Sequence, residues 1–464
     1  MQAAAMALGK LCRPGGTLTS ELVEAEVKTA LEWLQSERIE ERRYSAVLEL
    51  RELARNAPTL MYNYVGLIFD LIWVGLRDQR QLIRTTAAET VSACFRIIRE
   101  RDQELKQTWM NKMYTEMNQG LKVNTVESIH GSLLVLKELL EQGGMYMQDR
   151  YDDACDIVFK HKDHRDPTIR KTIVLLIPDL ASYAPAAFAG RYLHQFMLYL
   201  TGMLKRDKDR NDAFLAIGNI ANSVKSAIAP YLDGVLIYVC EGLSVSSRKR
   251  GSVDPVFDCI SRLAVAVGQT LSKYMEALLD PIFACELTPK LTQALVDIAF
   301  YIPPVKATIQ ERLLDMLSIV LCGEPFKPLG APQPNTLNSL PVVPKDSKDP
   351  QAYEHRKAEI KLALNTLGSF DFSGTEVLFP SRYQLNLPPP RRFELTPGQP
   401  PPDSQSHKYG QGGRARNNSA FSSVKKTFGL SASDNPAHRR LQSPGSRLTS
   451  YFRQSCQGSG PTKS

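Results

Sequence analysis

The sequence predicts an all-α protein in which antiparallel helix pairs stack into a solenoid, followed by a disordered C-terminal tail. Three observations carry this prediction. Apolar residues recur at helical spacing, the helices recur about every 40 residues, and the composition changes sharply near residue 380. β-structure has little support, because no alternating apolar and polar segments flank hairpin turns.

The helix around Arg43 defines the repeating pattern. Its apolar side chains lie three, four, seven and ten positions after Arg43, at Ala46, Val47, Leu50 and Leu53. This spacing places them on one stripe of a helix. The pattern recurs after six more anchor residues, Arg84, His130, Arg170, Arg210, Val253 and Thr288. Of the 28 positions that it covers, only Lys137 and Thr292 are not apolar.

The distances between anchors identify the kind of repeat. They are 41, 46, 40, 40, 43 and 35 residues, which centre on the ~40–47 residues of HEAT and armadillo units. Each interval leaves room for a second helix and two turns. Second helices are predicted at Val23–Leu34, Tyr64–Leu76, Asp153–Lys160, Tyr192–Leu204, Val235–Leu243 and Leu271–Phe283. One pair cannot cover its own apolar face, so the pairs must stack.

The turns supply helix caps and charged pairs. Asp166 followed by Pro167 predicts an N-cap with proline in the first helical turn. An acidic residue also precedes an anchor arginine in Asp78 and Arg84, and in Asp166 and Arg170. In HEAT arrays such pairs can form a ladder between neighbouring repeats. The alternative is that they are ordinary solvated charges at helix starts.

The domain organisation follows from composition and charge. We expect a HEAT-repeat solenoid over 1–322, a Pro-rich loop over 323–350, an incomplete terminal helical repeat over 351–379 and a disordered basic tail over 380–464. Residues 381–464 hold 13 Lys and Arg against 3 Asp and Glu, a net +10, and the whole chain is +8. Residues 1–380 therefore carry about −2, so the basic balance does not indicate a nucleic-acid groove in the folded part.

Cysteine and hydropathy patterns predict a reduced, intracellular chain. The eight cysteines are scattered, without the two-residue spacing of metal or redox motifs. We interpret them as reduced thiols of a cytosolic core. The N-terminus lacks the pattern of a secretory signal. No uninterrupted apolar run reaches the ~18 residues of a membrane span, so none is expected.

We assign no catalytic, cofactor-binding or metal-binding residues from the sequence, and we expect no cofactor. No phosphate-cradling glycine loop and no kinase catalytic loop occur. Asp371-Phe372-Ser373-Gly374 resembles the kinase D-F-G motif only by chance, since every partner motif is absent. His161, Asp163 and His164, with Asp166 and Cys155 near them, are interpreted as a charged turn and its surroundings, because no second cluster supplies further metal ligands.

Two other features have ordinary structural interpretations. His130 lies near an apolar stripe and is expected to be a hydrogen-bonded packing residue. Arg248-Lys249-Arg250 is a small basic run that could contact acidic partners or phospholipid headgroups, and a solvated loop is the favoured alternative.

Four segments carry a family resemblance: KTALEWLQ, RRYSAVLELRELARNAP, IHGSLLVLKELL and LALNTLGSFDFSG. In order, from about Ala4 to Gly374, they resemble the N-terminal HEAT region of the target-of-rapamycin (TOR) kinases. These are giant serine/threonine protein kinases related to the phosphatidylinositol 3-kinases. The resemblance implies a HEAT solenoid that docks accessory subunits in nutrient and growth signalling and helps the complex to dimerise.

The departures from that family bear on activity. The rapamycin-binding and kinase modules of TOR proteins have no counterpart here, so the resemblance transfers no catalytic residue. It begins inside the family's N-terminal region and ends after Gly374, where a Pro-rich sequence follows. We therefore expect a chain truncated before the kinase module, with an alternative or aberrant C-terminal end.

The leading functional hypothesis is a non-catalytic scaffold for protein partners. Expected partners are TOR-complex accessory subunits, with a contact in a TOR dimer as a further candidate. One alternative is a TOR serine/threonine kinase by family membership. Another is a nucleic-acid or membrane tether through the basic tail, although no nucleic acid is expected because aromatic platforms are missing. The expected location is cytoplasmic, with peripheral association with endomembranes or the vacuole within a TOR complex.

Overall fold

The computed structural model describes residues 1–13, 15, 20–36, 38–101, 104–244, 251–323, 326 and 350–373. Within these ranges the chain forms helices and turns and no β-strand. It divides into two compact units, Met1–Pro281 and Ile282–Ser464. The all-α HEAT-like solenoid predicted from the sequence is confirmed.

Seventeen helices of ten residues or more are found among the described residues. They are α1 Gln2–Leu11, α2 Ser20–Ser36, α3 Glu40–Asn56, α4 Val65–Leu76, α5 Gln81–Arg101, α6 Glu104–Lys122, α7 Val126–Gln142, α8 Tyr151–His161, α9 Pro167–Tyr183, α10 Leu193–Leu204, α11 Arg210–Val224, α12 Leu232–Gly242, α13 Asp254–Val267, α14 Ser272–Phe283, α15 Pro289–Tyr301, α16 Lys306–Cys322 and α17 Pro350–Ser369.

The helices of the first unit form two layers. Helices α3, α5, α7, α9, α11 and α13 each pack on the next, and we call them the B layer. Helices α2, α4, α6, α8, α10 and α12 each precede and pack against one B helix, and we call them the A layer. The core lies between the layers and contains fully buried Phe69, Phe95 and Phe214. Stacking therefore supplies the burial that a single pair lacks.

The predicted apolar stripe is buried in every repeat, with one correction in α7. There the anchor is Ile129 and not His130, because the residues three, four, seven and ten positions after Ile129 have no exposed surface: Ser132, Leu133, Leu136 and Leu139. The shift explains why Lys137 broke the pattern, since it lies off the buried stripe. It changes the neighbouring intervals to 45 and 41 residues.

One A helix had no predicted counterpart. Helix α6 buries Met110, Met113 and Met117 completely. Methionine is flexible enough to fill irregular spaces in a core. The methionines of α6 lie in an otherwise polar stretch, WMNKMYTEMNQG. A pattern based on Leu, Ile and Val therefore does not detect the apolar face of this helix.

The second unit contains a further helix pair. Helix α16 packs against α17, and Arg356 donates from Nη2 to the carbonyl of Val320 at 2.6 Å. The hydroxyls of Thr292 and Thr366 lie 3.3 Å apart, which joins α15 to α17. The domain limits at 322, 350 and 379 stay predictions. Arg248-Lys249-Arg250 and the tail from 380 lie outside the described residues.

Two stretches, Pro58–Leu76 and Arg210–Gly242, are long and apolar enough to cross a membrane by length and composition alone. The bent pair Pro167–Tyr183 and Pro185–Leu204 also passes the same test. Within α4, however, Val65, Ile68 and Ile72 have no exposed surface, because they pack inside the solenoid. The expectation of no membrane span therefore stays a prediction.

Candidate protein-interaction surface

Charged side chains link successive repeats along the edge where each A helix turns into its B helix. Arg43 donates from Nε to Asp78 Oδ2 at 2.7 Å across 35 residues of sequence. This bond confirms the predicted ladder at the first step. At the next step Arg84 donates from Nε to His130 Nδ1 at 2.9 Å, so an imidazole replaces the carboxylate.

The ladder does not continue through Arg170 by the same kind of bond. Arg170 donates from Nη1 to the carbonyls of His164 and Arg165, both in its own turn. The next link is an ion pair between Lys171 and Asp212, in which Nζ lies 3.4 Å from Oδ2. The sequence pattern alone cannot separate these cases, because both place an arginine at the start of a B helix.

His130 is a packing residue, as the sequence predicts. It is 1% exposed and Arg84 is 4% exposed. Because Nδ1 accepts a hydrogen bond, the neutral ring carries its proton on Nε2. Burial, and then the Arg84 guanidinium, lower the pKa of His130 to about 4. Arg84 also donates to the carbonyls of Asp78 and Gln79, so this buried cation is anchored on several sides.

The candidate metal residues have structural partners. His161 Nδ1 lies 2.8 Å from the carbonyl of Ile157, and His164 accepts a hydrogen bond from the backbone of Asp166. Asp166 caps α9 as predicted, with Oδ1 accepting from the amides of Thr168 and Ile169. Within the described part of the chain, no three His, Cys, Asp or Glu side chains are grouped as metal ligands.

Asp371 has a structural partner as well. It pairs with Lys306 at 2.7 Å, and its Oδ1 accepts from the backbone amide of Ser373. Gln310 donates to the carbonyls of Asp371 and Ser373. These contacts fasten the segment that follows α17 to α16, and Gly374 lies outside the described residues.

A tyrosine ladder, which the sequence patterns missed, joins α8, α10, α12 and α14 in the first unit. Tyr192 donates to Asp152 Oδ1 at 2.8 Å across 40 residues. The hydroxyl of Tyr231 lies 3.3 Å from His194 Nδ1, and Tyr274 donates to Asp233. The available signal was a tyrosine at each of these helix starts, since Tyr151, Tyr192, Tyr231 and Tyr274 are 41, 39 and 43 residues apart.

The outward side of three consecutive B helices repeats a second pattern. On α7, α9 and α11 a leucine is followed four and seven residues later by polar residues, which places all three on one helix face. We call this set the leucine–acceptor face: Leu134, Glu138 and Glu141; Leu175, Asp179 and Ser182; Leu215, Asn219 and Asn222. Leu175 is 43% exposed, and Leu134 and Leu215 are half-buried.

The polar row of this face contains acceptors without donors. Glu138 Oε2, Asp179 Oδ2 and Asn222 Oδ1 are buried without a hydrogen-bond partner. The Glu138 side chain does form a hydrogen bond with Ser92. Burial raises the pKa of Asp179 to about 6, and burial also raises the pKa of Glu138. Lys137 is the cation among them, and it already bonds Glu141. The face is therefore apolar along one row and acidic or amide-bearing beside it, and its unpartnered oxygens are closed to solvent.

Comparison with protein families identifies the repeats. Residues 80–312 match the profile described as importin subunit beta-1-like, TPR repeats. The chain belongs to this importin-β-like helical-repeat family.

Solved structures share the fold of these importin-β-like repeats. Importin beta in an ammonium sulfate condition matches with a TM-score of 0.55 and 12% identity, over 78% of this chain and 50% of that one. A Kap95:Nup1 complex gives a TM-score of 0.53 and 15% identity, over 82% and 45%.

Sequence relatives confirm the resemblance to TOR kinases. The serine/threonine-protein kinase tor1 of Schizosaccharomyces pombe is 40% identical over 379 residues, which are 82% of this chain and 16% of that kinase. The serine/threonine-protein kinase TOR of Arabidopsis thaliana is 34% identical over 376 residues, which are 81% and 15%. This importin-β-like chain is thus homologous to the HEAT region of TOR kinases and spans about a sixth of their length.

Proposed function

We propose that this chain is a non-catalytic scaffold that binds protein partners through the outward faces of its helix layers. The observation that carries the proposal is the recurrence of partly exposed apolar residues on helices of both layers. Leu175 on α9, Leu198 on α10 and Ile237 on α12 are 43%, 69% and 61% exposed. Exposed apolar positions on a rigid repeat array suit extended protein partners.

The homology to TOR kinases suggests which proteins this scaffold binds. Accessory subunits of TOR complexes are the proposed partners, with a contact between TOR chains as a second one. The matched region is about a sixth of a TOR kinase, which supports a role in binding and not in phosphoryl transfer. The proposed location is the cytoplasm, with peripheral attachment to endomembranes or the vacuole through a TOR complex.

Two measurements test the proposal. Purified chain is mixed with a purified TOR-complex accessory subunit and followed by size-exclusion chromatography with light scattering. A stoichiometric complex is expected, and separate elution of both proteins across micromolar concentrations would overturn the scaffold role.

Calorimetry with Mg²⁺-ATP tests the kinase alternative. We expect no saturable binding, whereas binding with phosphate transfer by the purified chain would make it an enzyme.

A further inference from the structure

Helix α15 of the second unit ends in an exposed aromatic pair. Phe300 is 74% exposed and Tyr301 is 38% exposed, and their rings meet edge to face with centroids 4.9 Å apart. Val296 lies one turn before Phe300 and is exposed as well. Among the described residues, Phe300 is the most exposed phenylalanine. We call Val296, Asp297, Phe300 and Tyr301 the α15 aromatic face.

The chemistry of this face suits a proline-rich ligand that also carries a cation. Proline-rich segments in the polyproline II conformation dock on aromatic side chains, because such a segment is preformed and loses little entropy on binding. Asp297 places a carboxylate on the same side of α15 as the two rings, since Phe300 and Tyr301 follow it by three and four residues. Its Oδ1 accepts a hydrogen bond from Gln293 at 3.0 Å. Consecutive prolines followed by a basic residue would therefore match both parts of the face.

The chain leaves the described fold close to this face. Lys306 Nζ lies 2.7 Å from Asp371 Oδ2, and Gln310 donates to the carbonyls of Asp371 and Ser373. Lys306 follows Phe300 by six residues, which span at most about 20 Å. The sequence beyond Ser373 therefore begins near the aromatic face and not at a distant end of the molecule.

One segment beyond Ser373 has the matching sequence. Residues 387–392 read LPPPRR, so three consecutive prolines precede Arg391 and Arg392. Each proline restricts φ to about −65°, which favours the polyproline II conformation. Leu387 follows Ser373 by 14 residues, a reach of up to about 46 Å. The segment is thus long enough to return to the aromatic face.

Other proline-rich stretches of the chain match the face less well. The prolines at 400–402 are followed by Asp403, which puts a negative charge where the Asp297 carboxylate requires a positive one. The Pro-rich loop over 323–350 contains no two consecutive prolines. Charge and proline spacing together therefore select 387–392.

We propose that residues 387–392 bind the α15 aromatic face of their own chain. The prolines pack on the rings of Phe300 and Tyr301, and the arginines donate charge-assisted hydrogen bonds to the Asp297 carboxylate. This contact goes beyond the proposed scaffold role, because a protein partner that uses the aromatic face must first displace the segment.

Limited trypsin digestion of the full chain measures the contact, because trypsin cleaves after Arg391 and Arg392. Initial cleavage rates at these two sites are followed by mass spectrometry. The rates at Arg414 and Arg416, farther along the same tail, are the internal control. Binding to the aromatic face should slow cleavage after Arg391 and Arg392, since a bound segment fits the protease poorly.

Two variants remove the two parts of the face separately. Phe300→Ser combined with Tyr301→Ser should speed cleavage at the LPPPRR segment at least fivefold, and Asp297→Asn should speed it at least twofold. The matched control is Ile319→Ser, which alters an exposed apolar residue about 20 Å along α16 from Lys306 and should leave the rate unchanged. Circular dichroism and the melting temperature verify folding. Unchanged cleavage in the double variant or in Asp297→Asn would overturn the proposal.

Photocrosslinking separates this contact from one between two chains. p-Benzoylphenylalanine in place of Phe300 should crosslink to residues 387–392 of the same chain. Mixing unlabelled with isotope-labelled chains distinguishes crosslinks within a chain from crosslinks between chains. Crosslinks that form only between chains would overturn the proposal in favour of a second copy, and the absence of any crosslink to 387–392 would also refute it. Binding of the accessory subunit is measured separately, so the scaffold function stands in either case.

Discussion

Lys225 and Gly268 have the same backbone conformation at the C-terminal ends of α11 and α13. The φ and ψ angles are 52° and −128° at Lys225, and 52° and −127° at Gly268. Glycine adopts this region readily because it has no Cβ, whereas other residues are strained there. The same turn after a B helix is thus made without strain at Gly268 and with strain at Lys225.

Lys225→Gly is expected to stabilise the protein. Backbone strain of this kind costs about 1–3 kcal/mol, and glycine returns about 0.4–1 kcal/mol through the greater entropy of the unfolded chain. The free energy of unfolding in urea should therefore rise by about 1 kcal/mol. Gly268→Ala is the matched control and should lower it by a similar amount. A lower melting temperature for Lys225→Gly would show that the lysine side chain stabilises this turn.

The repeat length and the buried stripe could be predicted from sequence, because helical periodicity reports which face is buried. The stripe of α7 was anchored at His130 in place of Ile129, and this error has a physical cause. Leu133 and Leu134 are adjacent leucines, and only the positions of Ser132 and Leu136 decide which register is buried. Helix α6 was missed because methionines form its core face. The tyrosine ladder depends on partners about 40 residues away, so a pattern within one helix does not reveal it.

The leucine–acceptor face shows the limit more sharply. Leu134 and Leu175 read as core residues in any hydropathy pattern, and Asp179 reads as an exposed charge. In the structure, however, Leu175 is 43% exposed, Leu134 is half-buried and Asp179 Oδ2 is buried. Sequence spacing assigns residues to a face, but the packing of neighbouring helices decides how much of that face remains accessible.

His130 should make the protein less stable in acid. Its pKa is about 4 in the folded state and about 6.5 when unfolded. Between these values the unfolded chain binds the proton and the folded chain does not, so stability falls as the pH drops from 6.5 towards 4. The loss should approach about 3 kcal/mol, at 1.36 kcal/mol per pKa unit. Urea unfolding of the wild type and of His130→Gln at pH 7.5 and 4.5 measures it, and an equal acid loss in both would refute the assignment.

Asp179 should make the protein more stable in acid, opposite to His130, over an overlapping range of pH. Burial raises its pKa to about 6 from the ordinary 3.8, so the folded chain holds the proton that the unfolded chain has released. Stability therefore falls as the pH rises from 3.8 to 6, by up to about 3 kcal/mol. Asp179→Asn should raise the free energy of unfolding at pH 7.5 and have little effect at pH 3.5. Asp156→Asn, at an exposed position on α8, is the control and should change neither value.

Helix α9 offers a direct test of the layered fold, because Ile177 and Leu175 lie two residues apart on opposite sides of it. Ile177 has no exposed surface, whereas Leu175 is 43% exposed. Ile177→Asp places an unpaired carboxylate in the core, which should cost several kcal/mol. Leu175→Asp introduces the same group at the surface and should change stability by about 0.5 kcal/mol or less.

Hydrogen exchange would locate the damage from Ile177→Asp. In a repeat array each unit contacts only its neighbours, so protection should fall first in α7, α9 and α11 and be retained longest in α3. Uniform loss of protection across the first unit would mean that the repeats unfold as one cooperative block. Equal stability of the two aspartate variants would contradict the assignment of Ile177 to the core between the layers.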